Sequence, residues 1–247
     1  RNACSISAAR MSLVPYASEV LRVLLETYQP SEIAISSYGI REGLLYEQMP
    51  QMLRDRDPLV EACRFSEAKD ARLPGFGKTL YKFVLPLFAT SGEARLRLVK
   101  AACLLHDVSR RAHPDYRAQT CFDNATRANL GGLGHPERVF LGLALLHRYK
   151  NKREGTGFED FYSLIDEAEQ RAAEVLGKAM RFGSMLWMSD AKKEDGADLD
   201  WNPETRSLVL NLTAEAAPLY GEVAEARFNS LARALDAEEV RVELAPA

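Results

Sequence analysis

All four histidines, His106, His113, His135 and His147, fall within 42 residues of a 247-residue chain. His106 is followed by Asp107 at the end of an apolar run, Leu104-Leu105-His106-Asp107-Val108. An adjacent His-Asp pair at a helix end can give one divalent metal two ligands, an imidazole suited to transition metals and a carboxylate suited to harder ions. A hydrolytic centre then needs further His or Asp from other helices and an open position for water. His135 and His147 are the candidates to complete it. The competing reading is a core histidine whose ring nitrogen is satisfied inside the protein, with no metal. The second reading is the expectation: no metal, with His106 and Asp107 structural.

A second chemistry in the residues is anion binding. Basic residues cluster in Arg110-Arg111-Ala112-His113 and in Arg148-Tyr149-Lys150-Asn151-Lys152-Arg153. Both clusters follow the helices that carry His106 and His147, so they can share one end of a helical block. Six cations in two such clusters can form a groove for a polyanion, or they can be solvated loops. In Gly39-Ile40-Arg41-Glu42-Gly43 a turn leads into a helix start. Arg41 there can meet a phosphate beside helix-end N–H groups, or pair with Glu42 at the surface for under about 1 kcal/mol. Gly131-Gly132-Leu133-Gly134 has no strand before it and is not a nucleotide loop, and the chain has no Walker lysine motif and no G-x-S-x-G.

The elements that must position these residues follow from periodicity. Met11, Val14, Ala17, Leu21, Leu24 and Leu25 predict an amphipathic helix within 7–28 that starts or kinks at Pro15. Ile33-Ala34-Ile35 reads as a strand, Ser36-Ser37-Tyr38-Gly39 as a turn and residues 40–49 as a helix. After Pro50 an all-α block is expected, with helices over 58–69, 78–88, 93–108, 115–130, 136–149 and 161–192, separated by Gly- and Pro-bearing turns. The charge-rich stretch 64–72 reads as a solvated face. Then residues 199–201 and 208–212 predict a strand pair, 216–235 a helix with Leu219, Val223, Phe228, Leu231 and Leu235 in step, and 240–244 a closing strand. The fold class is mostly α, with an α/β segment before the helical block and a small α+β lobe after it.

Composition excludes several classes. Charged residues make up 27% and the apolar set 47%, which rules out a disordered chain or a disulfide scaffold. Thirty-two basic against 35 acidic residues give a formal charge of −3, so bulk charge calls for no nucleic acid and any polyanion must meet local clusters. Cys4, Cys63, Cys103 and Cys121 form no C-x-x-C motif, and Cys103 in its apolar run reads as a buried free thiol. No run is long and apolar enough for a membrane span, and no secretory signal opens the chain. The expected location is cytoplasmic.

The segment Ser36-Ser37-Tyr38-Gly39-Ile40-Arg41-Glu42-Gly43-Leu44-Leu45-Tyr46 closely resembles a signature of the exopolyphosphatase / guanosine pentaphosphate phosphohydrolase family. Ile6 to Arg10 with Val14 to Ala17 resembles the helix before it. Ala102 to Asp107, Arg111 to Arg117, His135 to Arg138 and His147-Arg148 resemble the family's helical C-terminal domain. The resemblance implies a hydrolase of polyphosphate or guanosine pentaphosphate. Two N-terminal domains of the actin/sugar-kinase-like ATPase fold would bind phosphate and Mg and carry the catalytic carboxylate. An HD-domain-like helical block and a small lobe would follow. On this mapping residues 1–50 end the second ATPase-like domain, 51–195 are the HD-like block and 196–247 the lobe. The chain begins at Arg1 without Met and holds no Asp-x-Gly-Gly-Gly-Ser-type loop, so the catalytic half is expected before it. An HD metal site needs an earlier His, and none occurs before His106. The implied role is to bind and channel the substrate across Arg41, Arg110, Arg111, His113, Arg148 and Lys150, with no catalytic residue in these 247. The implied partners are the protein's own N-terminal domains and a second copy in a homodimer, with no nucleic acid and no membrane. The alternatives are a free-standing HD-type metal phosphohydrolase and a non-catalytic dimerisation module.

Overall fold

Pro15 sets where the first long helix begins. A single turn, α1 (Ala8–Met11), breaks at Ser12 and Leu13, and α2 (Val14–Tyr28) starts with Pro15 in its first turn. A proline there forfeits no hydrogen bond, because the first amides of a helix have no partner inside it. In a computed structural model the described residues are 6–33, 38–152, 154–187 and 196–244. The strand expected at Ile33-Ala34-Ile35 and the turn at Ser36-Ser37 fall largely outside them. α3 (Ile40–Gln48) opens on the Arg-Glu-Gly signature. Its Glu42 carboxylate accepts the Gly39 amide at 2.7 Å, so the motif's acid caps its own helix rather than pairing with Arg41. Residues 1–49 form one compact unit and 50–247 another.

The second unit opens with the short α4 (Gln51–Arg54), followed by α5 (Pro58–Asp70). Asp57 caps α5, its Oδ1 accepting the amides of Leu59 and Val60, and its carboxylate also takes Arg97. Burial works against the Asp57 charge, but Arg97 and the two amides hold its pKa below the usual carboxylate value. Next come α6 (Phe76–Val84) with a 3-10 turn at Leu85–Phe88, α7 (Glu93–Leu105), α8 (Pro114–Arg127) and α9 (His135–His147). Every residue of α9 from Val139 to His147 is buried. A helix apolar on all sides must run through a core, and α7, α8 and α11 pack around it.

The single helix expected over 161–192 is two. α10 (Glu159–Tyr162) ends at Ser163, and α11 (Glu167–Leu186) restarts after Asp166, whose side chain accepts the Glu169 amide at 2.8 Å. An aspartate bonds a free helix-start amide better than it sits in a helix interior, so it divides the pattern. Residues 188–192 of that expectation lie outside the described residues.

Close approach fixes how α11 meets α9. A Cβ on Gly177 would lie 2.4 Å from His147 Cβ and 2.5 Å from the Ala144 carbonyl. Gly77 plays the same part for α6 on α7, where an added Cβ would lie 2.8 Å from Leu104 Cα, and its amide donates to the buried Glu67 at 2.7 Å. Burial raises the Glu67 pKa, opposed by the amides of Gly77 and Gly75. A carboxyl raised in the folded state stabilises the fold at low pH and loses that contribution as pH rises through its folded value. Glu67→Gln keeps an oxygen for the Gly77 amide and removes the titration. Its melting temperature relative to the parent is therefore expected to rise between about pH 4 and pH 8, as thermal melts across that range would record. A flat difference would count against an ionised, buried Glu67.

The chain closes with β1 (Ala197–Asn202), β2 (Ser207–Leu212), a 3-10 turn at Ala217–Leu219, α12 (Glu222–Ala234) and β3 (Glu239–Leu244). β1 pairs antiparallel with β2, and β3 lies parallel to β2 after crossing over through α12. Ala197, Leu199, Leu208, Leu210 and Leu212 turn inward, whereas all of β3 is exposed. Val223, placed in step with the core by periodicity, is exposed because its position in the first turn of α12 faces away from α11. Helical block and lobe share one core: α11 packs on α9 and α6 and also on α12, where Phe182 meets Phe228 at 5.2 Å between ring centres. Cys63, Cys103 and Cys121 are buried free thiols, and Cys4 lies outside the described residues.

Candidate functional site

The end of α7 turns His106 into the core, where the residue is 4% exposed. Its Nδ1 lies 2.9 Å from the Cys103 carbonyl, which can only accept, so Nδ1 carries the proton and Nε2 the lone pair. The His106 pKa is lowered to about 4, chiefly by burial and then by Arg148, against the opposing pull of Asp107. The ring is neutral near pH 7. Asp107 accepts the backbone amide of Arg72 at 3.2 Å.

Around this corner lies a cleft of about 440 Å³. Four arginines line it: Arg72 after α5, Arg117 on α8, Arg148 capping the end of α9, and Arg181 on α11. Asp107 is the one carboxylate among the described residues that line it. Among the described residues, no carboxylate side chain pairs with any of the four arginines. Arg117 reaches the carbonyls of Arg110 and Ala112 at 2.9 and 3.2 Å, and Arg181 bonds Asn151 at 2.8 Å. The Nε atoms of Arg117 and Arg148 are buried with no hydrogen-bond partner.

Tyr149 organises the pair. Its hydroxyl donates to the His106 carbonyl at 3.0 Å. Burial pushes the phenol up to about 12, so it stays a donor at neutral pH, although Arg148 opposes the shift. The guanidinium carbons of Arg148 and Arg117 lie 5.0 and 5.7 Å from its ring centre, within cation–π range. Burial lowers the pKa of Arg148, opposed by Tyr149, Asp107 and Cys121, with Arg117 adding the smallest part of the lowering. Arg181 comes down to about 10, first through burial and then through the charges of Arg227 and Arg148. The arginines thus repel one another in a partly dry cleft. An anion entering it would relieve both the repulsion and the unmet donors.

Of the residues singled out in the sequence, the fold brings Arg148, His106 and Asp107 into this cleft. Arg110 is tied by its Nε to the Asp70 carbonyl at 2.9 Å, and Arg111 lies 3.8 Å from the Asp70 carboxylate. His113 caps α8, its Nδ1 accepting the Asp115 amide at 3.3 Å. Lys150 is exposed outside the cleft lining, and Arg41 is exposed on α3. None of residues 110–113 lines the cleft, although Arg117, which does, bonds the carbonyls of Arg110 and Ala112. Arg153 lies outside the described residues.

His135 and His147 do not meet. They stand at opposite ends of α9, about 18 Å apart along a 13-residue helix, with His135 exposed and His147 buried. His147 lines a different cavity, with Glu154, Glu167 and Glu174. Among the described residues, no group of three or more His, Cys, Asp or Glu side chains is placed to hold a metal ion.

The sequence reading missed Arg72, Arg117 and Arg181 as site residues. Arg72 belonged to a stretch read as a solvated face, and it is exposed, but it turns one side to the cleft. Arg181 carried a usable signal: it interrupts the buried run Ala179-Met180-Arg181-Phe182, where a charge needs a reason.

A family model described as exopolyphosphatase, C-terminal, matches residues 68–240, which include all four cleft arginines. No curated protein matches the chain.

Proposed function

We propose a function from one premise: the chain belongs to the exopolyphosphatase C-terminal family. The parent protein is a phosphatase of that family, a hydrolase for which the family suggests polyphosphate as substrate. The chain binds that substrate while a catalytic half supplies hydrolysis. The observation that carries the binding role is the cleft, where four arginines face one carboxylate and two buried guanidinium nitrogens lack partners. Arg148 is the central contact, with Arg72, Arg117 and Arg181 around it. Arg110, Arg111, His113 and Lys150 guide the chain at the rim, and Arg41 is a further phosphate contact on the first unit. Guanosine pentaphosphate offers the same phosphate chemistry and is the second substrate of this reading.

The apolar stripe of α2, with Leu21, Leu24 and Leu25 exposed, supports docking on the protein's own N-terminal ATPase-like domains. Mg belongs to that catalytic half. The cleft does not suit it, since Asp107 stands among four cations. A copy-to-copy contact in a homodimer and a cytoplasmic location remain part of the proposal. No helix among the described residues is long and apolar enough to cross a membrane.

The test is binding of long-chain polyphosphate to residues 1–247 by calorimetry at several salt concentrations. With about three net phosphate contacts, affinity is expected to fall about tenfold for each roughly threefold rise in salt. Affinity indifferent to salt removes the electrostatic reading. The same chain is expected to release no orthophosphate from polyphosphate, and robust turnover in a phosphate-release assay would overturn the division of labour.

A further inference from the structure

We propose that β3 is the surface on which two copies of this chain meet, pairing antiparallel about Val242 so that their sheets become one. The inference names the surface of the copy-to-copy contact proposed above and rests on that part of the reading.

The sheet runs β1-β2-β3, so β3 is an edge with a strand on one side only. Among the described residues, no backbone hydrogen bond of residues 240–244 reaches outside the sheet. An edge of this kind offers a row of unpaired N–H and C=O groups, and natural edges are usually shortened, bulged or covered. This one is six residues long, carries no proline and follows β2 in unbroken register. Val240, Val242 and Leu244 stand opposite the buried Leu208, Leu210 and Leu212 of β2, yet they are 40%, 44% and 69% exposed. The apolar row of the sheet's inner face therefore runs on past its cover.

The residue pattern selects a second copy as the occupant. In an antiparallel pair centred on Val242, that residue meets its own counterpart, and Val240 of each copy meets Leu244 of the other. On the outer face Arg241 of each copy meets Glu243 of the other. Apolar pairs and opposite charges directly across a pair of strands both stabilise it. Within one copy Arg241 pairs with Glu239, whereas Glu243 has no ion-pair partner among the described residues. Centring on Arg241 instead sets two guanidinium groups against each other and Glu239 against Glu243. A slip of one residue sets valines against glutamates on opposite faces. The other edge, β1, carries exposed Asp198 and Asp200, which repel a second copy. A two-fold axis through Val242 uses both free edges at once, so this contact closes at two copies.

Sedimentation velocity on residues 1–247 over a range of concentrations tests the pairing, with a concentration-dependent dimer expected. Arg241→Glu sets a second carboxylate against Glu243, and Glu243→Arg sets a second guanidinium against Arg241. Each variant alone is expected to weaken dimerisation at least about tenfold. Mixed in equal amounts, the two variants regain both opposite-charge pairs and are expected to form a heterodimer within about threefold of the parent's affinity. Should either variant melt early, hydrogen exchange on the parent decides, since the amides of residues 240–244 are expected to slow as the dimer forms. Variants that dimerise as the parent does, a mixture of well-folded variants that stays monomeric, or exchange at 240–244 unchanged by dimer formation overturns the β3 surface and leaves a copy-to-copy contact elsewhere standing. A parent that is monomeric at every concentration overturns both.

Discussion

A chain carrying Gly177→Ala is expected to melt about 6–12 °C below the parent. The added methyl would sit 2.4 Å from His147 Cβ and 2.5 Å from the Ala144 carbonyl oxygen. Neither atom is the far end of a flexible side chain. Both belong to α9, whose residues from Val139 onward are wholly buried, so the helix has no empty side to retreat into. Overpacking a core of this kind costs about 1–3 kcal/mol and sometimes more. The backbone contact here argues for about 3 kcal/mol, and each kcal/mol moves the melting point of a chain this size by about 2–4 °C. Circular dichroism melts measure it. A fall under about 2 °C would mean that the two helices separate freely and that the tight crossing does not hold the block together.

The second large effect runs in opposite directions for binding and stability. Arg148→Gln is expected to weaken tripolyphosphate binding by about 30- to 100-fold, because a hydrogen-bonded charge in a partly dry site contributes about 2–3 kcal/mol. The unliganded variant is nevertheless expected to melt no lower than the parent. Burial is the main effect disfavouring the Arg148 charge, with Arg117 adding a smaller one against the attraction of Asp107, and its Nε has no partner to lose. Glutamine relieves the repulsion, with the contact to the Tyr149 ring the main loss. Adding tripolyphosphate should then raise the melting temperature of the parent and leave the variant nearly unmoved. Paired melts with and without the ligand decide it. A variant that melts several degrees lower yet binds as before would make Arg148 a structural residue.

Much of the helical block was legible in the residues because turn chemistry and periodicity agree there. His113-Pro114 opens α8 and Pro136 opens α9, each proline in a first turn where its missing amide is harmless. The division before α11 was not legible. The apolar spacing runs on through Phe161 and Leu164, and only the side chain of Asp166, turned back onto an amide, ends one helix and begins the next. The parallel pairing of β3 was equally hidden, since alternation predicts a strand but not its neighbour. The site was half legible. Arg148 and the His106-Asp107 pair announced themselves as a basic cluster and a motif. Arg72 and Arg181 come from distant parts of the chain, and nothing local ties them to Arg148. His135 and His147, the candidates for completing a metal site, do not converge, since one helix holds them at its two ends.

The position of α11 has one more consequence. One face of this helix belongs to the block, against α9 and α6, and another to the lobe, against α12. An opening that releases the lobe must therefore bare Phe182 and its neighbours, which also wall the block. The two regions then have no cheap partial state between them. The described helices and strands after Pro50 are therefore expected to lose structure together, and the amides of α12 to exchange with solvent no faster than global opening allows. Arg181 rides on this same helix. The cleft consequently persists for as long as the terminal lobe does, although none of its lining residues lies in that lobe.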